Sequence, residues 1–88
     1  MLLDVDGINP AFKDKLIEVV EGIAEPKFTL RELPGTRPTT CVFEVDDSYD
    51  VDDMVPFLKG AIKKSAVGAI MMFRVTPHGQ VMWVPKRK

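Results

Sequence analysis

Two rhythms of apolar residues alternate along this chain. From Phe12 to Ile23 the positions Phe12, Leu16, Ile17, Val20 and Ile23 recur at steps of three and four, with Lys13, Asp14, Glu18 and Glu21 on the opposite side. That period predicts an amphipathic helix of about four turns. Asn9-Pro10 suits its start: Asn9 can cap the free N–H groups, and Pro10 fits the first helical position, where a missing N–H costs nothing. Gly22 weakens the last turn and Pro26 stops it. Val51, Met54, Val55, Leu58 and Ile62 predict a second helix. Acids crowd its start and Lys59, Lys63 and Lys64 its end, which complements the helix dipole. Pro56 belongs in the first turn, and this sets the start near Asp52 or Asp53.

The other rhythm is alternation. In residues 27–33, Phe28 and Leu30 face one way and Lys27, Thr29 and Arg31 the other, as in a strand with one wet face. Residues 39–45 repeat the pattern with Cys41, Phe43 and Val45. The Pro34–Pro38 connection is too short for a parallel crossover, so the two strands pair as an antiparallel hairpin. Residues 66–75 are almost continuously apolar and read as a central strand covered on both faces. Thr76-Pro77-His78-Gly79 makes a tight turn, and residues 80–84 return antiparallel. At the N-terminal end, residues 2–6 are either a short strand, with Leu3 and Val5 on one side and Leu2, Asp4 and Asp6 on the other, or a frayed leader.

The order resembles a ferredoxin-like βαββαβ sandwich with an extra C-terminal strand. It implies an α+β fold in one domain, residues 1–88, with two helices on one face of a mostly antiparallel sheet. If residues 2–6 are not a strand, the arrangement becomes a four-stranded αββαββ pseudo-repeat. Such folds host many functions, so the architecture names none.

Charge changes the picture more than composition does. All thirteen Asp and Glu lie between Asp4 and Asp53, against five Lys and Arg, a formal charge of −8. From Met54 onward there are seven Lys and Arg and no acidic side chain, a charge of +7. A polarised chain of this kind steers partners, including copies of itself: the basic C-terminal end of one molecule suits the acidic helix start of another in antiparallel or head-to-tail dimers. No apolar run approaches the ~18 residues of a membrane span. MLLDVDG also lacks the basic start of a signal peptide. With the single Cys41, which has no disulfide partner in the chain, this points to the cytoplasm.

The candidate chemistry is thin. Asp46, Ser48 and Asp50 match the first alternating positions of a calcium loop, but Val51 stands where Gly is required and Phe57 where the bidentate Glu should be. These acids therefore read as helix caps, and no metal site is expected. His78 has no nucleophile or carboxylate beside it in sequence, and the glycines form no phosphate-binding motif. The sequence thus predicts a non-enzyme without cofactor or small-molecule ligand.

The C-terminal hairpin carries the functional expectation. A sheet backed by helices on one face leaves the other open, and the 66–84 run has few polar residues to cover it. Met72, Phe73, Arg74, Met82, Trp83 and Val84 are the expected partner-binding residues of a small interaction module or regulatory subunit, with a protein or a second copy as partner. The alternative is a nucleic-acid surface built from Arg74, Trp83, Lys86, Arg87 and Lys88, an aromatic platform beside basic groups. No RNP1-like or GXXG segment accompanies it.

Overall fold

Leu2–Asp6 form a strand, β1, and the sheet is built around it. The computed structural model describes residues 1–68 and 72–79 of the chain. After β1 come a 3-10 turn at Pro10–Phe12, helix α1 at Lys13–Glu21, β2 at Thr29–Arg31, β3 at Thr40–Glu44, helix α2 at Val51–Lys64, and β4 at Arg74–Pro77. The four strands form one sheet in the order β2-β3-β1-β4, with every neighbouring pair antiparallel. The fold class is therefore α+β. Because β1 is an internal strand, the pseudo-repeat that omits it does not apply.

Alternation decides which face is buried. Leu3 and Val5 of β1 pair with Phe43 and Cys41 of β3, and Val5 with Val75 of β4. These side chains form one core with Leu16 and Val20 of α1 and Met54, Leu58 and Ile62 of α2. Both helices thus cover the same sheet face. Burying each of the larger apolar side chains is worth roughly 1.5–3 kcal/mol, and this, rather than the short helices themselves, holds the layers together.

The helix starts differ from expectation in instructive ways. Asn9 caps as foreseen, its side chain accepting from the Ala11 N–H at 3.0 Å, but what it opens is a 3-10 turn, and α1 begins only at Lys13. The helix is accordingly shorter than four turns. Helix α2 starts at Val51, ahead of the expected point, because the Asp50 carboxylate accepts from the Asp52 N–H at 3.0 Å. Pro56 is consequently the sixth helical residue. It is exposed, and so is Asp52, whose carbonyl loses its usual donor. Water can satisfy that carbonyl, so the helix tolerates the proline.

The largest correction concerns the 66–75 run. Among the described residues of that run only Arg74 and Val75 belong to a strand, and Thr76 and Pro77 extend it. Residues 66–68 instead close off α2. The Ser65 hydroxyl donates to the Ile62 carbonyl at 2.6 Å and accepts from the Gly68 N–H at 3.2 Å, while Val67 inserts into the core. A Cβ on Gly68 would lie 2.0 Å from the Ile62 carbonyl oxygen, so only glycine passes there. An apolar run reports burial, and a turn that plugs the end of a helix is buried too. Among the described residues β4 pairs only with β1 and ends the strand order. Its outward residues are Arg74 and Thr76, not apolar ones. The expected return strand, 80–84, lies outside the described residues.

Candidate functional site

No described helix or strand covers the sheet face away from α1 and α2, although the outward Val42 of β3 is buried, and the composition of this face follows from the same alternation. Asp4 and Asp6 of β1 point there. Asp4 lies between Val42 of β3 and Thr76 of β4, and Asp6 between Thr40 and Arg74. Arg31 and Glu44 complete the face with an ion pair across β2 and β3. Such opposed and diagonal cross-strand side chains are the units that stabilise a sheet surface.

Each carboxylate of β1 is held by a neighbour. The Thr40 hydroxyl donates to Asp6 Oδ1 at 2.6 Å. Asp4 Oδ1 lies 2.7 Å from Nδ1 of His78, whose backbone N–H donates to the Leu2 carbonyl at 3.0 Å. His78 does sit in the turn after β4, as expected. Its carboxylate partner lies 74 residues earlier in the chain, which inspection of its sequence neighbours had no means of finding.

The connection between β2 and β3 bends over one end of this face. Gly35 takes a positive φ of 80°, the Thr36 hydroxyl donates to the Leu33 carbonyl at 2.8 Å, and the Thr40 N–H donates to the Arg37 carbonyl at 3.0 Å. The result is a groove of about 440 Å³ with Asp4, Asp6, Thr40 and His78 on its floor and Arg37 on its wall. A second groove of about 330 Å³ runs on past Asp6 to Arg74 and Thr76. Asp6 borders both.

Of the expected partner-binding residues, Met72, Phe73 and Arg74 are described. Met72 is 94% exposed. Phe73 packs against the core, and Arg74 is exposed at the start of β4. The segment crosses directly over Gly7, which has a φ of +82°; a Cβ there would stand 2.8 Å from the Met72 carbonyl oxygen. Gly7 thus fixes where Met72 and Arg74 emerge beside the open face. Met82, Trp83 and Val84, and Lys86, Arg87 and Lys88 of the nucleic-acid alternative, lie outside the described residues. Sequence reasoning missed Asp4, Asp6, Arg37 and Thr40. The outward phase of Asp4 and Asp6 was legible, but the strands that would flank them were not.

The remaining candidates do not converge on this face. Cys41 is buried on the core side of β3, and burial pushes its thiol up, partly offset by Lys13. Asp46 accepts from the Ser48 N–H at 2.8 Å, and this bond holds its exposed carboxyl below the usual range. With Asp50 capping α2, those acids have structural partners. Among the described residues no hydrogen bond joins His78 to a hydroxyl or thiol. No helix among the described residues is long and apolar enough to cross a membrane. No protein-family model, curated protein or solved structure matches the chain.

Proposed function

We propose that this chain is a small, non-enzymatic interaction module of ferredoxin-like topology that binds a protein partner on its open sheet face. The strand order β2-β3-β1-β4, with α1 and α2 on one side, is the arrangement expected of a βαββαβ sandwich. The observation that carries the reading is the open face itself: a preformed polar surface, tied by cross-strand pairs, with the exposed Met72 at its rim. A flexible thioether beside fixed charges of both signs suits a polar protein surface with one apolar anchor.

The same face favours protein over single-stranded nucleic acid. Asp4, Asp6 and Glu44 would oppose phosphates. Phe28 and Phe43 turn into the core, so neither ring offers a base platform there.

Photo-crosslinking tests the proposal. A benzophenone side chain placed at Met72, and separately at the exposed Lys59 of α2, is activated in cells that make the protein, and the adducts are identified. The purified candidate is then titrated against wild-type chain and Arg74→Glu. A protein adduct specific to position 72, with binding weakened by Arg74→Glu, supports the reading. Equal labelling from both positions, or salt-sensitive binding of a labelled single-stranded oligonucleotide with no protein adduct, overturns it.

A further inference from the structure

The outward strip of α2 is complementary to itself. Met54, Leu58 and Ile62 turn this helix toward the core. On another side, Asp53, Pro56, Phe57, Gly60, Ala61 and Lys64 follow one another at alternating steps of three and one residues. At 1.5 Å per residue the strip is about 16 Å long. The last five of these six residues, beginning at Pro56, line a groove of about 470 Å³. Phe57 is a fixed ridge: it is 39% exposed and stacks on the buried Phe28, with ring centroids 6.1 Å apart and planes at 15°. Gly60 is a hole, since a Cβ there would meet nothing within 4 Å. Asp53 sits in the first turn and Lys64 in the last, and neither joins an ion pair among the described residues.

Glycine inside a helix costs about 1 kcal/mol relative to alanine. A solvent-facing site gives no return for that cost, whereas a helix–helix contact does, because a bare backbone admits a neighbour's side chain.

Laying a second α2 antiparallel along the strip shows what neighbour fits. The register that sets Asp53 against Lys64 of the other copy also sets Phe57 against its Gly60 and Pro56 against its Ala61. Two-fold symmetry then repeats each contact, so one surface supplies both halves of the interface. Ridge meets hole at the centre, opposite charges meet at both ends, and each helix's positive end lies beside the other's negative end.

We propose that the chain forms a two-fold symmetric dimer through this strip of α2. The interface lies on the helix layer, so it leaves the open sheet face of each protomer free and does not rest on the function proposed above.

Sedimentation equilibrium of the full chain over a concentration series, at low and high salt, tests this. The expected result is a monomer–dimer equilibrium weakened by salt. Gly60→Leu should raise the dissociation constant at least about tenfold, the scale of a lost central anchor. Compared at a concentration where both chains are monomeric, its far-UV circular dichroism and melting temperature should not fall, because leucine is the better helix former and its Cβ has room. Asp53→Lys and Lys64→Asp should each weaken the dimer, and the two together should restore it. A chain that stays monomeric throughout, or a dimer indifferent to Gly60→Leu and to the charge exchange, overturns the proposal. Crosslinking from Met72 should be unchanged in Gly60→Leu, so failure of this dimer is distinguishable from failure of the sheet-face reading.

Discussion

Gly7 and Gly35 offer a controlled measurement of how firmly the Met72–Arg74 segment is placed. Their backbones are alike, with φ of +82° and +80°. Alanine at either position therefore incurs the same left-handed penalty, about 1–2 kcal/mol. Part of it is offset by the roughly 0.4–1 kcal/mol that losing a glycine removes from the entropy of the unfolded chain. At Gly35 nothing lies within 4 Å of the added Cβ, so Gly35→Ala should cost about 0.5–1.5 kcal/mol. At Gly7 the Cβ would stand 2.8 Å from the Met72 carbonyl oxygen and 3.4 Å from the Cα of Phe73. These are backbone atoms that cannot rotate away. Overpacking of this kind adds about 1–3 kcal/mol, so Gly7→Ala should cost about 2–4 kcal/mol.

A domain of this size has only about 5–10 kcal/mol to lose. At roughly 4–8 °C per kcal/mol the Gly7 variant should melt about 8–32 °C below wild type and the Gly35 variant about 2–12 °C below. Urea titration followed by far-UV circular dichroism separates the two, provided the m-values agree. Equal losses at the two glycines would refute the reasoning: the 72–74 segment would not lie across Gly7, and the placement of Met72 and Arg74 beside the open face would fall with it.

Two further predictions concern residues the sheet brings together or buries. Thr40→Val removes a hydroxyl bonded to a carboxylate, a hydrogen bond worth about 1.5–3 kcal/mol; in an Asp6→Ala background the same change should cost much less, and equal costs in urea titrations of the double-mutant cycle would rule out the coupling. Cys41 has its thiol pKa raised by burial, so its contribution to stability is complete below the unfolded-state value and is lost as pH rises through the folded one. Wild type should therefore lose stability in alkali faster than Cys41→Val, and thiol reagents should label native Cys41 only at the rate of opening; labelling as fast as in the unfolded chain would contradict its burial.

Much of the secondary structure was legible because it depends on neighbours in sequence. The three- and four-residue spacing around Leu16 and Leu58 dictates which side of each helix is apolar. The alternation of Cys41, Phe43 and Val45 does the same for β3, and that of Leu3 and Val5 placed Asp4 and Asp6 on the outer side of β1. Caps at Asn9 and Asp50 act over two residues, within reach of sequence reasoning. Boundaries were less legible, since a 3-10 turn and an α-helix begin with the same residues, and a buried turn is as apolar as a buried strand.

What tertiary structure alone decided was which strands lie side by side. Periodicity records that a residue is buried or exposed, but not what it faces. The same alternation in β1 is compatible with any neighbours, and only the fold places β1 between β3 and β4. That placement sets Asp6 against Thr40 and Asp4 beside His78. It also carries the 72–74 segment over Gly7. Contacts between residues so far apart require the chain to close on itself, and the free energy for closure comes from the whole shared core rather than from any local signal.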